Sequence, residues 1–390
     1  MAVVKQIGEN LESLPVEVEE DLKKAGEKVY VAPPWKLMWW RFRKHKMAMV
    51  ASVVLIVFYF VAIFCEFVAP YEPDDALLQF KQVPPSAIHI RDAAGNFQFP
   101  FVYQHKRAMD LETLAITNIE VPSAGAYPIE FFVHGFEYKL FGVWKTDIHL
   151  YGVPSAKDQE GIFLLGTDRL GRDMFSRVCY GARLSLSMGM VSVFLSLILG
   201  IVLGGISGYL GGKIDVVIQR VIEFIRTIPT IPLYMTLSAA LPVNWPVEWV
   251  YFGITMILAL VGWTHLARVV RGRFLAMREE DFVLAARLNG SSEMRIILRH
   301  MLPSFASYII AALTLNIPNL ILAETGLSFI GLGLRAPAIS WGVLLQEATN
   351  ISSLMLAPWV LAPGIAVVIS VLAFNFLGDG LRDAADPYAR

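Results

Sequence analysis

Long apolar runs separated by basic clusters dominate this chain. The clearest run, 47–69, has about 23 residues against the roughly 20 needed to cross the hydrocarbon of a bilayer. Further runs follow at 184–210, 228–241, 250–270, 304–327 and 357–377. The run at 228–241 is short and carries Pro229 and Pro232, so a tilted or broken span is expected there. Basic clusters at 36–46, 213–226 and 268–299 mark the cytoplasmic side, with Trp245 and Trp249 on the opposite flank. The pattern predicts an all-α polytopic membrane protein with six transmembrane helices and both termini in the cytoplasm.

Residues 1–46 read as a cytoplasmic tail, with one short helix around 19–24. Trp35, Met38, Trp39 and Phe42 then fall at helical spacing among Lys36, Arg41, Arg43, Lys44 and Lys46. That segment suits either an interfacial helix or a solvated basic flank to the first span. Residues 70–179 hold no run long enough to span. Stretches 97–103 and 129–153 are rich in aromatic and β-branched residues broken by Gly and Pro, which predicts a small, mostly β extracytoplasmic domain inserted between helices 1 and 2. Arg169, Arg172, Arg177 and Arg183 then stand on the outer side; long loops translocate largely regardless of charge.

Within the spans, Ser192, Ser196, Gly200, Gly204 and Gly208 recur every fourth residue, a small-residue face for helix packing on which Gly204→Ala is expected to be mild. Asn316, Pro318 and Asn319 lie about 20–24 Å along the fifth span at helical rise, so they should face a partner helix or an aqueous path. Glu66 and Glu324 fall near the outer surface. Residues 180–390 together form the expected transport core.

Hydrophobic residues make up 55% of the chain and charged ones 17%, below the roughly 25% charged of soluble domains, which places it among integral membrane proteins. The net charge of −1 says nothing of partners, because the charges are segregated along the chain. Cys65 and Cys179 belong to no metal spacing or disulfide framework. The first apolar run begins behind a polar tail, so it is read as a retained span rather than a cleaved signal. Gly211-Gly212-Lys213 is followed by Ile214 where a phosphate loop needs Ser or Thr, and Ser207 stands at its first Gly. No catalytic constellation is visible, and neither a bound cofactor nor a nucleic-acid partner is expected.

The polar island 281–303 is the centre of the functional reading. Glu279, Glu280 and Asp281 open a short helix, Asn289-Gly290 stop it, and Ser291 and Ser292 offer an N-cap to a second. That second helix carries Met294, Ile297, Leu298 and Met301 at i, i+3, i+4, i+7. Ala285, Ala286, Gly290, Leu302 and Pro303 resemble the EAA loop of ABC importer permeases, with Leu284 in place of its Glu and His300 in place of its usual Ile. Gly166-Thr167-Asp168 with Gly171-Arg172-Asp173, and Gly181-Ala182-Arg183, resemble a signature of the peptide and nickel importers. So do residues 323–329 with Gly331 and Gly333, and the ending 375–383 with Asp386-Pro387. The resemblance is to the second permease of an oligopeptide/dipeptide importer, although the insert 70–165 is longer than that subfamily leads one to expect.

The resemblance implies a type I ABC importer arrangement in a prokaryotic plasma membrane. Two different permeases would pair with two ATPases, which carry ATP and Mg, and with an extracytoplasmic substrate-binding protein. Loop 279–303 would couple the ATPases to the path. Peptide, opine, nickel-chelate and glycoside importers share these signatures, so the cargo stays open. The rival is an ATPase-independent secondary transporter or channel, which would call for ionisable residues at mid-membrane; only amides are found there.

Overall fold

The computed structural model describes residues 34–91, 96–109, 116–153 and 161–385. The expectations for residues 1–33, the helix around 19–24 included, and for Asp386-Pro387 lie outside the described residues.

The first helices are α1 (Pro34–Phe42) and α2 (Lys46–Ile63). Phe42 is buried with Ala48 and Ala384 near the chain's last helix, so α1 is docked as well as basic. After α2 the chain breaks at Phe64 into a short helix, Cys65–Val68. Among the described residues five strands follow: β1 (His89–Arg91), β2 (Phe97–Met109), β3 (Ile116–Pro128), β4 (Glu130–Leu140) and β5 (Trp144–Gly152). They form two antiparallel sheets, β1-β2-β3 and β4-β5. Val102, Ile129, Tyr151 and Ile162 cluster between them, with Phe175 of the next helix against the cluster.

That helix, α3 (Met174–Leu210), begins well before the expected 184, because Asp173 caps it. One carboxylate oxygen accepts from Ser176 N at 2.7 Å and Ser176 Oγ at 2.6 Å. At 37 residues and 1.5 Å each it is about 55 Å long, so its first turns must stand clear of a ~30 Å hydrocarbon layer. Residues 213–226, read from the sequence only as a basic cluster on the cytoplasmic side, form a full helix, α4 (Gly212–Thr227), whose buried Ile222 packs with Trp263 and Ala267. Asp215 secures it from one side, accepting two hydrogen bonds of 2.5 Å from Arg271. The short third run is α5 (Thr230–Ala239), ten residues or roughly 15 Å.

Next come α6 (Val247–Met277), α7 (Asp281–Leu288), α8 (Ala306–Phe329) and α9 (Ala362–Ala385). Among the described residues, five helices are long and apolar enough to cross a membrane: α2, α3, α6, α8 and α9, the last with the turn Pro358–Leu361 before it. The largest core joins all five through such residues as Leu55, Leu186, Leu258, Ile321 and Phe374. This is a helical membrane protein.

Candidate functional site

The polar island folds as a knob of two short helical pieces. The first, α7, ends in a tight glycine turn: Ser291 N donates to Ala286 O and Gly290 N to Arg287 O, with Gly290 at φ +73°. A Cβ on Gly290 would meet nothing within 4 Å, so the glycine is there for its backbone angle, not for space. Ser292 occupies the N-cap position of the second piece without a side-chain capping bond.

The apolar stripe expected on that piece is redistributed. Residues Ile296–Met301 are wound as a π-helix, whose wider turn brings residues five apart onto one face. Ile296, Ile297 and Met301 are therefore buried, while Met294 and Leu298 are 55% and 52% exposed. The buried three join Val283 and Ala286 in a cluster with Tyr209, Val270, Phe274 and Phe305, so the knob is seated on α3, α6 and the start of α8. Arg287 adds a cation–π contact over Tyr209 at 5.5 Å. Ala286 faces this internal seat; Ala285 faces outward. The outward side also presents Phe282, Leu284 and a 90% exposed Leu288, an apolar patch on a polar loop. Leu302 is half-buried and Pro303 exposed where the knob joins α8.

The five small residues of α3 all meet α6. Ser192 and Ser196 donate to Thr255 O and Ala259 O at 3.4 and 3.2 Å. A Cβ on Gly200 would meet the Leu266 side chain at 3.0 Å, on Gly204 the Ala267 carbonyl at 2.5 Å, and on Gly208 the Arg271 carbonyl at 2.7 Å. Beside this seam lies a cavity of about 840 Å³. Asn316 and Asn319 are in its wall with Tyr234 and His265, and Arg226 and Arg382 are the arginines that line it.

The arginine-rich signature before α3 is a structural junction. Asp168 is fully buried and accepts from Leu170 N, Arg172 N and Arg172 Nε at 2.8, 2.9 and 2.6 Å. Thr167 accepts from Val83 N at 2.8 Å and donates to Phe80 O, and its carbonyl receives Trp359 Nε1 at 2.8 Å. Gly171, at φ +83°, lies so close to the Leu77 carbonyl that no side chain fits. Residues 77–83, 166–173 and 359 are thus knotted at one end of the bundle.

Sequence reasoning missed Glu324. It is fully buried rather than merely near a surface, and accepts from Ser328, Ser340 and Ser185 at 2.8, 2.9 and 3.2 Å. A carboxylate inside an apolar run was itself the signal, since such a group requires partners; which hydroxyls supply them depends on tertiary contacts. Among the described residues, no group of three or more His, Cys, Asp or Glu could hold a metal ion.

Two family profiles match. Residues 200–390 fit the binding-protein-dependent transport system inner membrane component, and residues 33–85 the N-terminal transmembrane domain of oligopeptide transport permease C. The glutathione transport system permease protein GsiD of Shigella flexneri serotype 5b is 33% identical over 358 residues, 92% of this chain and 91% of that one. The chain belongs to the ABC importer permeases, in the group of the oligopeptide and glutathione systems. The oligopeptide transport system permease protein OppC of Escherichia coli K12 is 40% identical to this permease over 237 residues, 60% of this chain and 76% of that one. Among solved structures, the inward-facing MetNI methionine ABC transporter overlaps it with a TM-score of 0.44 at 19% identity, covering 54% of this chain and 97% of that one. That overlap is slight. The permease is a transmembrane subunit of an ABC importer, and its family implies assembly with other permease and ATPase subunits.

Proposed function

We propose that this permease forms half of a translocation path for peptides or similar small solutes, driven by ATPase subunits that dock on the 281–303 knob. One observation carries the reading. The knob is seated on α3, α6 and α8 by Val283, Ala286, Ile296, Ile297 and Met301, while its opposite side offers Phe282, Leu284, Leu288, Met294 and Leu298, which none of the described residues covers. A rigid seat with an apolar outer face is what transmits a push from a partner to the bundle. The cavity walled by Asn316 and Asn319 is the part of the path this subunit supplies.

In this reading the chain crosses a prokaryotic plasma membrane six times, the third crossing including the short α5, and both termini are cytoplasmic. Residues 70–179 face outward and help seat a substrate-binding protein. A second, homologous permease completes the path, two ATPases bind ATP and Mg, and this chain binds no cofactor. Family membership and the full set of hydroxyl partners around Glu324 weigh against the ATPase-independent alternative.

Leu288→Asp tests the reading, because a 90% exposed side chain can be changed without disturbing the seat. The variant should insert and assemble with the second permease yet lose ATPase co-purification and uptake. Wild-type ATPase binding and uptake would remove the knob from the mechanism.

A further inference from the structure

The β4–β5 hairpin ends in an apolar tip that the other described residues leave largely uncovered. Phe141, Val143 and Trp144 are 57%, 72% and 65% exposed. The turn is tight: Val143 N donates to Leu140 O at 3.1 Å, and Phe141 and Gly142 sit at φ +53° and +73°. Glycine adopts that left-handed geometry freely, whereas a phenylalanine is strained in it. Strain held at an exposed aromatic is a reason to look for function.

The tip's place in the fold says what it meets. The Phe141 ring lies against Phe64 with centroids 5.6 Å apart, and Phe64 lies against Phe60 of α2 at 4.8 Å. Phe64 directly follows the apolar helix, so the tip stands level with the end of α2. Phe60 and Ile63 beside it are 46% and 48% exposed, so the apolar surface of α2 runs on into the hairpin without a polar break. Just behind the tip, Lys139 and Lys145 are paired directly across the strands, and both are exposed. Like charges placed opposite one another repel. Among the described residues neither lysine is in an ion pair, so no direct contact with an anion offsets that repulsion there.

We propose that the β4–β5 tip is a lipid-binding hairpin. Phe141, Val143 and Trp144 enter the membrane interface beside the outer end of α2, and the Lys139–Lys145 pair holds the phosphate of an anionic phospholipid. Aromatic side chains favour that depth, and lysines just behind them extend their ammonium groups to the headgroup layer. The inference rests on α2 crossing the bilayer.

The test uses the full chain, assembled with its partner subunits in vesicles of phosphatidylethanolamine with a minority of phosphatidylglycerol. A photo-crosslinking benzoylphenylalanine replaces Val143, and the same label at Val57, 51% exposed on α2, serves as control. Illumination should give lipid adducts at 143, with phosphatidylglycerol over-represented roughly five-fold or more. Lys139→Gln with Lys145→Gln should abolish that enrichment while lipid adducts persist. Adducts to a soluble binding protein, or no adduct at 143 while 57 captures lipid, would overturn the lipid assignment. Lipid adducts without phosphatidylglycerol enrichment would overturn the role of the lysines. Failure of the label at 57 to capture lipid would instead sink the crossing of α2.

Discussion

Arg183 grips Glu66 with both ends of its guanidinium, Nη1 and Nη2 each 2.6 Å from a carboxylate oxygen. Its remaining N–H groups donate to Ala62 O at 3.0 Å and Ile63 O at 2.9 Å. These two carbonyls lie at the C-terminal end of α2, where helical carbonyls lack partners of their own. One arginine of the signature therefore ties α3 to the end of the first span. Burial pushes the Glu66 carboxyl up, but the hydrogen bonds and charge of Arg183, together with a backbone hydrogen bond and the Cys65 thiol, outweigh it and hold the group below the usual range.

Arg183→Lys should not substitute, since a point ammonium cannot reproduce the two-pronged contact. The Arg183 side chain is 43% exposed, so solvent screening limits the coupling between the pair to about 1 kcal/mol. A double-mutant cycle with Glu66→Gln, read by thermal unfolding in detergent, should return a coupling of that order. Additive effects would mean the pair contributes nothing.

Gly204→Ala is expected to be damaging, not mild. An added Cβ would lie 2.5 Å from the Ala267 carbonyl and 2.9 Å from its Cα, and backbone cannot step aside as a flexible side chain can. Gly272→Ala on the facing helix meets nothing within 4 Å and should be neutral, or stabilising by up to about 1 kcal/mol through helix propensity. Expression and thermal unfolding of the two variants side by side check the contrast.

Ala286→Asp and Gly290→Val should fail in different ways. Ala286 is 7% exposed within the knob's own seat, so a charge there should unseat the knob and lower stability by several kcal/mol. Gly290 has open space around it, so valine should mainly strain the turn, costing about 1–2 kcal/mol. Proteolysis of the 281–303 loop should rise sharply in the first variant and modestly in the second.

Asp173 gives a pH dependence with a defined sign. Burial raises its carboxyl to about 6, against the opposing pull of the Ser176 hydrogen bonds. The folded state then holds this proton more tightly than the unfolded chain, whose value is near 3.9. Its contribution is fully favourable below about pH 4 and is lost as pH rises through about 6. Asp173→Asn keeps the capping oxygen and removes the titration. Relative to the variant, the wild type should lose thermal stability between those pH values; parallel curves would refute the assignment.

Apolar runs longer than a bilayer is thick, bounded by arginines and tryptophans, determined from sequence alone that this is a multi-span membrane helix protein. The same local logic determined the knob: Asn289-Gly290 can end a helix in only a few ways, and the left-handed glycine turn is one of them. The tertiary structure decided what period and composition do not encode. Residues 213–226 become a helix because Arg271, far along the chain, holds Asp215 and because Trp263 and Ala267 offer Ile222 a seat. The π-turn at Ile296–Met301 chooses which apolar residues of the knob go inward, a choice that an i, i+3, i+4 count cannot make. Ala285 and Ala286 are the same residue type side by side, yet only contact with the bundle determines which is seat and which is surface. Glu324 needed partners by its chemistry, but Ser185 and Ser340 reach it only once three distant segments have packed together.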